Sequence, residues 1–197
     1  MRILILTMDD PVYTNEFIKE IIDAKNNDIV KVVQVTKGNR LTIPGKRSKL
    51  GYLFSLLLIM GPLFFLRNSL ITISHHLRKF LSDVGPFVSS PLVVDYAESL
   101  GISTETISDP NDEEFIQEIQ KLAVDVIINQ SQCILRDDLL SVPNIGTLNR
   151  HNALLPKNRG RLTPFWVLYK GEDKTGVSIH FVEEDIDSGD IIVQKSF

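Results

Sequence analysis

Cysteine is almost absent from this sequence. Of the 197 residues only Cys133 is a cysteine, and a single thiol cannot form an internal disulfide, which excludes a disulfide-stabilised secreted domain. Glycine and proline are also few, at 11 and 9, and 43% of the residues are hydrophobic, so the chain can bury the core of one globular domain. The opening residues MRILILTMDD alternate like a strand and lack the charged-then-apolar pattern of a signal peptide. We therefore expect a cytoplasmic protein.

Aspartate and glutamate are missing from a long internal segment, Ile29 to Ser82. These 54 residues carry nine of the 21 basic residues, so the rest of the chain holds 12 basic against 25 acidic residues, a net charge of −13. Such an asymmetry predicts that the segment faces something anionic, although solvated basic side chains beside buried helices would give the same count. The nine are Lys31, Lys37, Arg40, Lys46, Arg47, Lys49, Arg67, Arg78 and Lys79.

A long apolar run lies inside the acid-free segment. Tyr52 to Leu66 reads YLFSLLLIMGPLFFL and is interrupted by Gly61-Pro62. These 15 residues fall short of the about 20 that one membrane-spanning helix needs, so a spanning helix is not expected. Three interpretations of residues 38–90 stay open. They are a buried helical hairpin, a self-association face in a homo-oligomer, and a peripheral membrane contact in which basic residues between 46 and 81 reach lipid headgroups.

Strand and helix patterns predict the fold class. Arg2–Thr7 is rich in isoleucine and leucine, Thr14 offers a hydroxyl N-cap to an amphipathic helix, and Ile29–Thr36 is a β-branched run. This order predicts a parallel βαβ unit with a right-handed crossover. We therefore predict one α/β domain with an open, mostly parallel sheet, helices on both faces and a helical insertion after the second strand. Further helices are predicted near 91–100 and 112–122, and further strands near 104–107 and 124–129.

Asn149 and His151 are the first candidates for chemistry. They lie two residues apart at the end of an apparent strand, Ile145–His151, so both side chains point to one face. In an open α/β sheet, ligands bind just beyond the carboxyl ends of the strands, where this pair would lie. The amide can donate a hydrogen bond to a developing oxyanion, and the imidazole can move a proton at neutral pH. For such a pair on its own, a turn-capping asparagine and an ordinary loop histidine remain the alternative.

The residues around this pair carry a family resemblance. The run NRHNALLPKNRGRLTPFW, followed by GEDKTGVSIHFVEEDIDSGDIIVQ, resembles the amino-terminal catalytic domain of the 10-formyltetrahydrofolate-dependent formyltransferases. The resemblance implies a Rossmann-like fold and transfer of a formyl group from 10-formyltetrahydrofolate to a primary amine. The matching elements after His151 are Leu154-Leu155-Pro156, Arg159-Gly160, Pro164, Trp166, Thr175-Gly176, His180 and Asp187-x-Gly189.

The resemblance implies a role for each catalytic residue. Asn149 polarises the formyl carbonyl and binds the oxyanion of the tetrahedral intermediate. His151 relays a proton or stabilises that intermediate. Asp187 orients His151 and helps to move the proton from the attacking amine. His180 matches the supporting histidine of the family, and we expect it to contact the catalytic group without contacting the substrate.

The pterin pocket of the family is formed largely by backbone. Backbone contacts tolerate changes of side chain, so the resemblance identifies the folate-binding residues less specifically than the catalytic ones. The alternative for Ile134 and Leu135 is a place in the core. A metal is not implied, because Cys133 is alone and the adjacent His75 and His76 point in different directions, so we expect that pair on the basic face. The implied folate contacts are Cys133, Ile134 and Leu135 after the fourth strand, and Val182, Glu183, Glu184 and Asp185 before the aspartate.

The expected acceptor is a nucleotide-linked amino sugar of the kind used in polysaccharide biosynthesis, because Arg159 to Trp166, RGRLTPFW, resembles a motif of the sugar N-formyltransferases. A glycinamide ribonucleotide is disfavoured, since Met8-Asp9-Asp10-Pro11 replaces the Gly-Ser-Asn phosphate loop of those relatives. Nucleic acid is not expected, because the acidic remainder offers no phosphate track. Two alternative acceptors remain, namely another small amine and methionyl-tRNA. A third alternative is that the protein is a non-catalytic binding module. Relatives usually continue beyond Ile191 to Gln194, so we expect a short or truncated chain.

Overall fold

The computed structural model describes residues 1–36, 49–85 and 87–197, without the side chains of Lys49, Leu50, Tyr52 and Ser55. Of the basic residues that the sequence singled out, Lys37, Arg40, Lys46 and Arg47 lie outside the described residues, as does the side chain of Lys49.

Seven strands form one sheet in the order β3-β2-β1-β4-β5-β6-β7. The first five strands pair in parallel, β6 is antiparallel to β5, and β7 is antiparallel to β6. The predicted open, mostly parallel α/β sheet is therefore confirmed. The strands are β1 (Ile3–Thr7), β2 (Ile29–Val35), β3 (Ser103–Ile107), β4 (Val126–Gln130), β5 (Gly146–His151), β6 (Gly176–Phe181) and β7 (Ile191–Ser196).

Helices cover both faces of the sheet, as predicted. Ile3 and Ile5 of β1 point to one face and pack with the first and third helices, whereas Leu4 and Leu6 point to the other face and pack with the fourth and fifth. Because side chains alternate along a strand, β1 is buried on both faces and lies at the centre of the core. The helices are α1 (Asn15–Lys25), α2 (Lys49–Val84), α3 (Val93–Ser99), α4 (Glu113–Gln120), α5 (Asp137–Leu140) and α6 (Thr163–Tyr169).

The helical insertion after the second strand is α2. Gly61 has φ 73° and ψ 161°, outside the helical region, so α2 consists of two arms joined by a kink at the Gly61-Pro62 step. The buried-hairpin interpretation is wrong, because the apolar side chains of α2 are exposed. Leu58 and Leu63, for example, are 68% and 76% exposed. Contrary to the expectation from the apolar run alone, the helix continues past the break, and Leu56–Val84 has the length and composition of a helix that could cross a membrane.

Two local predictions are corrected by the structure. The Thr14 hydroxyl does not cap α1. Instead it donates to the Asp10 carboxylate at 3.3 Å, and the same carboxylate accepts the backbone N–H of Val12 at 2.9 Å, so aspartate organises the turn before the helix. Lys31 does not belong to a basic surface. It is buried, 2.7 Å from Glu105 Oε2 and in contact with Glu118, so its charge is neutralised within the fold.

Candidate active site

The structure brings Asn149, His151 and Asp187 together at the carboxyl edge of the sheet. Asn149 and His151 end β5, and Asp187 lies in the loop between β6 and β7. The Asp187 Oδ2 atom is 3.2 Å from His151 Nδ1, and its Oδ1 atom is 3.5 Å from Nε2 of His180. His180 Nε2 is in turn 3.3 Å from the Asn149 amide nitrogen. All four predicted side chains thus form one connected group, whose catalytic roles remain predictions.

Backbone geometry holds Asp187 toward His151. Asp187 adopts a left-handed conformation with φ 50°, which aspartate tolerates better than most residues. Its Oδ2 accepts the Gly160 N–H at 2.7 Å. The loop is closed at its base, where Phe181 N–H donates to Asp190 O at 3.0 Å and Val182 N–H to Thr147 O at 2.7 Å. The carboxylate therefore has a fixed position before any ligand binds.

The environment of Asp187 favours its ionised form. Burial alone would raise the pKa of this carboxyl group, but the contact with His180, the hydrogen bond from the Gly160 N–H and the nearby His151 ring hold the pKa below its usual value. Asp187 is thus a carboxylate at neutral pH. It can stabilise a positive charge that develops on the His151 ring.

His151 is 5% exposed and is held between two acceptors. Its Nε2 atom is 2.9 Å from the backbone carbonyl of Asn158, which can only accept a hydrogen bond, so Nε2 carries the proton. Nδ1 then faces the Asp187 carboxylate. A proton taken up at Nδ1 would be shared with Asp187. The ring is therefore oriented to receive a proton on the side of the carboxylate.

His180 is 1% exposed and orients its neighbours. Its Nδ1–H donates to the carbonyl of Phe181 at 2.6 Å, which leaves Nε2 as an acceptor for the Asn149 amide at 3.3 Å. Because the ring is buried and touches both Asn149 and Asp187, its position agrees with the supporting part that the resemblance implied. That role is still a prediction.

Gln130, at the end of β4, was missed by the sequence reasoning, which ended that strand at Asn129. The Gln130 amide nitrogen donates to Asn149 Oδ1 at 2.9 Å and to the Asn129 carbonyl at 2.8 Å. The bond to Oδ1 defines which end of the Asn149 amide is oxygen. The Asn149 NH₂ group must then point to His180 and the cleft, which is the orientation that an oxyanion needs. A polar residue closing an apolar strand beside β5 was the available signal.

Replacing Gln130 by leucine is expected to lower kcat for formyl transfer by about fivefold to tenfold, because the net value of one hydrogen bond is about 1 kcal/mol. The Asn149 amide would lose the bond that prevents it from rotating. The KM for folate should change little, since Gln130 does not face the solvent side of the cleft. Steady-state kinetics of Gln130→Leu, beside Gln117→Leu on the exposed face of α4, measures the difference. An equal kcat for both variants would remove Gln130 from the site.

Gly189 explains why glycine follows Asp187 in the matching motif. A Cβ atom at this position would lie 2.2 Å from the Phe181 carbonyl oxygen, so the backbone of the loop would have to move. We expect Gly189→Ala to lower the free energy of unfolding by about 1–3 kcal/mol, as other overpacked positions do, and to displace Asp187. Thermal unfolding and kcat measure both effects. Gly85→Ala is the control, since its Cβ would meet only ordinary contacts of 3.5 Å, and it should change neither quantity.

The predicted folate residues lie in two loops at the same edge. Cys133 is half-buried and Ile134 is 58% exposed, whereas Leu135 is 3% exposed and packs in the core with α4 and α5. The side chain of Leu135 therefore cannot contact a ligand in the cleft, and only its backbone could. In the second loop Val182 is half-buried, and Glu183, Glu184 and Asp185 are exposed. Arg161 donates to Gln132 Oε1 at 3.0 Å and so joins the first loop to the segment that follows β5.

Two further features bear on ligands. A cavity of about 490 Å³, lined among others by Val12, Tyr13 and Arg150, lies beside β5 and α6, and none of the three catalytic candidates lines it. The lining of this cavity is mostly apolar, so it does not offer the polar groups that the proposed chemistry needs. Among the described residues, no group of three histidine, cysteine, aspartate or glutamate side chains is placed to hold a metal ion.

Asp9 and His75 differ from the sequence-based expectations. His75 is 6% exposed and so does not belong to the basic surface expected for it. Its Nε2 lies 2.8 Å from Asp9 Oδ1, an ion-pair distance without hydrogen-bond alignment, and Lys79 Nζ lies 3.6 Å from Asp9 Oδ2. The Asp10 carboxylate is engaged by backbone N–H groups. Both carboxylates after β1 thus have partners, which lessens the expected repulsion of a phosphate.

The fold and this group of residues agree with the comparisons to known proteins. The profile of the Formyl transferase family matches residues 93–197, which is more than half of the chain. The chain therefore belongs to the formyl transferase family, and the resemblance found in residues 149–194 is confirmed. Enzymes of this family take their formyl group from 10-formyltetrahydrofolate.

Two relatives match a part of this chain. Methionyl-tRNA formyltransferase of Clostridioides difficile (strain 630) is 42% identical over 84 residues, which are 42% of this chain and 27% of the relative. The bifunctional polymyxin resistance protein ArnA of Wigglesworthia glossinidia brevipalpis is 40% identical over 87 residues, 44% of this chain and 13% of the relative. The chain thus spans less than a third of the length of either relative.

Solved structures show the same fold. Glycinamide ribonucleotide transformylase 1 from Symbiobacterium toebii superposes with a TM-score of 0.60 at 15% identity, covering 100% of this chain and 73% of that chain. A sugar N-formyltransferase from Shewanella sp FDAARGOS_354 gives a TM-score of 0.55 at 16% identity, covering 100% and 57%. At these identities the likeness extends to the fold and leaves the acceptor open.

Proposed function

We propose that this protein transfers a formyl group from 10-formyltetrahydrofolate to a primary amine, at the site formed by Asn149, His151 and Asp187. The observation that carries the proposal is the contact of Asp187 Oδ2 with His151 Nδ1 at 3.2 Å, beside an Asn149 amide oriented by Gln130. Acyl transfer needs one donor for the developing negative charge and one acceptor for the proton of the amine. The site provides both within one cleft.

The described residues fit a folate co-substrate at this edge. When bound, it supplies the formyl group. The backbone of residues 133–135 and 182–185 would hold the pterin, and the exposed position of Ile134 leaves that loop accessible. Asn149 Oδ1 is occupied by Gln130, so an N–H of its amide is directed to the cleft and can donate to the oxygen that gains negative charge. Cys133 has an internal contact of its own, so its side chain is not required for the fit.

The amine would attack the formyl carbon, and its proton would pass to the His151–Asp187 pair. The same proton would return to the folate nitrogen as its bond to the formyl carbon breaks and tetrahydrofolate leaves. His151 Nε2 is already bonded to the Asn158 carbonyl, so the ring accepts the proton at Nδ1. Asp187 is ionised, as its lowered pKa indicates, and stabilises the imidazolium. The buried position of His151 keeps competing water from that nitrogen. These residues would supply general-base catalysis and stabilise the charge that forms.

The acceptor is proposed to be the amine of a nucleotide-linked amino sugar. Arg159 and Arg161 are exposed and are the sequence neighbours of Gly160, whose N–H binds Asp187. Guanidinium groups bind phosphate with paired hydrogen bonds. The solved sugar N-formyltransferase shares the fold. A cytoplasmic reaction at the inner face of a membrane, where polysaccharide precursors are assembled, is part of this proposal.

Methionyl-tRNA is the second candidate acceptor, because the 42% identical relative is a methionyl-tRNA formyltransferase. The same two arginines could bind a tRNA phosphate. A non-catalytic binding module is less well supported, since a protein without turnover would have no need for the aligned contacts among Asn149, His151 and Asp187.

The test is incubation of the protein with 10-formyltetrahydrofolate and a panel of amines, with tetrahydrofolate release as the readout. The panel holds nucleotide-linked amino sugars, the free amino sugars, glycinamide ribonucleotide and methionyl-tRNA. We expect release with the nucleotide-linked sugars and at least tenfold less with the free sugars. Release with methionyl-tRNA alone would keep formyl transfer and replace the acceptor. Release with none of the amines, in a protein that binds folate, would favour the binding module.

A further inference from the structure

The long helix α2 has its apolar side exposed, which is the reverse of a helix packed on a water-soluble protein. In its second arm, five of the more buried residues are polar and follow one another at intervals of three and four, namely Asn68, Thr72, His75, Lys79 and Ser82. Phe65, Ser69 and Ile71 are also half-buried. The exposed side of the same arm is apolar, with Leu66, Leu70, Ile73, Leu77, Phe80 and Val84, each at least 55% exposed. An amphipathic helix packed on a soluble domain shows the opposite arrangement.

Polar contacts join this arm to the domain. His75 Nε2 and Lys79 Nζ lie 2.8 and 3.6 Å from the Asp9 carboxylate, and Arg78 donates to Ser89 Oγ at 3.3 Å. Asp9 follows β1, at the same carboxyl edge of the sheet as Asn149 and His151. The polar side of the arm is therefore held against the active-site edge, and its apolar side faces away from the protein.

An exposed apolar surface of this kind indicates a binding partner that buries it. A contiguous exposed patch of more than a few hundred Å² is rare on a monomer and marks a protein or membrane interaction site. The apolar surface continues across the kink at Gly61 into the first arm, where Leu53, Phe54 and Leu58 are 47%, 60% and 68% exposed. The candidate covers are a lipid bilayer and a second copy of this chain.

Charge favours the bilayer over a second copy. The segment from Ile29 to Ser82 has no acidic residue. Lys31 is neutralised within the fold and Lys79 lies near Asp9, whereas Arg67 and Arg78 are exposed on the second arm, as its apolar side chains are. A self-complementary pairing of this face would bring basic residues next to basic residues, which is unfavourable. An anionic bilayer offers the opposite charge, and each lysine or arginine near its surface strengthens binding by about fivefold.

We propose that α2 lies in the interface of an anionic membrane, with its exposed apolar side inserted among the acyl chains and its basic residues at the headgroups. The second arm does not cross the bilayer, because His75 and Lys79 rest on Asp9 of the domain. The helix thus holds the active-site edge beside the lipid surface. This inference does not depend on which amine is formylated.

Vesicle flotation of the full chain tests the inference. We expect the protein to float with phosphatidylcholine vesicles that contain phosphatidylglycerol, and to float less with phosphatidylcholine alone or in molar salt, which screens the basic charges. The variant Leu70→Glu/Leu77→Glu should lower partitioning by about a hundredfold or more, since burial of each leucine is worth about tenfold or more. Its transfer of formyl groups to a soluble acceptor should stay unchanged.

The matched control is Leu100→Glu/Ile145→Glu. These two residues are 46% and 60% exposed, close to the 57% and 55% of Leu70 and Leu77, and add the same negative charge. They precede β3 and β5, at the edge of the sheet away from Asp9, so the control should float like the wild type. Absence of the wild type from all vesicles overturns the inference. So does equal loss of flotation in both variants. Dimers in light scattering that Leu70→Glu/Leu77→Glu dissociates, without flotation of the wild type, would assign the surface to a second copy.

Discussion

Asp187→Asn is expected to lower formyl transfer by on the order of a hundred- to a thousand-fold, equivalent to about 2.7–4 kcal/mol of transition-state stabilisation. The substitution keeps the size of the side chain but removes the charge that faces His151 Nδ1 at 3.2 Å. An imidazolium formed during the reaction would then lie beside a neutral amide. Single-turnover measurements with the preferred acceptor give the rate, and calorimetry with a folate analogue gives the affinity.

Folate affinity should stay within about threefold in this variant, because the pterin is proposed to contact backbone rather than the carboxylate. Asp190→Asn is the matched control, since Asp190 is an exposed aspartate in the same loop. Its backbone carbonyl, which closes the loop, is unaffected by the substitution. A rate for Asp187→Asn equal to that of the control would remove Asp187 from the mechanism while leaving the family assignment intact.

His151→Ala should cause a loss of similar size. The ring is proposed to receive the proton of the amine at Nδ1, and its Nε2–H anchors it to the Asn158 carbonyl at 2.9 Å. Without the ring, the remaining catalysis comes from Asn149 and from positioning of the reactants. The expected pattern is a fall in kcat with a nearly constant KM for folate, because the ring would stabilise the transition state only.

The control for this substitution is His76→Ala, which removes an exposed histidine whose ring contacts the Thr72 carbonyl of its own helix α2. Because His151 is buried, its loss could also destabilise the domain, so thermal unfolding has to be measured in both variants. His151→Gln supplies a second test with less lost volume. Normal turnover in a folded His151→Gln variant would contradict a proton-accepting role for the ring.

The sequence predicted Asn149 and His151 from local rules, but it could not place Asp187 by those rules. The period of two in β5 and the carboxyl edge of a parallel sheet were enough to put the pair on one face. Asp187 lies 36 residues after His151, and its approach depends on the antiparallel return of β6 and a left-handed turn. Only the family resemblance connected the three residues before the structure did.

Residues that act through tertiary contacts were less predictable. Gln130 on β4 contacts Asn149 on the neighbouring strand β5. No spacing in the sequence predicts that contact. In α2, the sequence predicted an apolar run followed by a mixed helix-like stretch to Leu81, and it did not define which side faces the domain. The contact of His75 with Asp9 decides the orientation, and it joins α2 to the loop after β1, with α1 and β2 between them in the sequence. Thr14 was misassigned because Asp10 competes for the same turn.

The closed loop between β6 and β7 has a consequence for the energetics of binding. With Phe181 tied to Asp190 and Val182 tied to Thr147, the conformational entropy of ordering Asp187 is lost when the chain folds rather than when a substrate arrives. Ligand binding energy can then be used for alignment of the reacting groups instead of loop ordering. Temperature dependence of the binding enthalpy should accordingly resemble that of a rigid receptor, with a small change in heat capacity that reflects only the buried ligand surface.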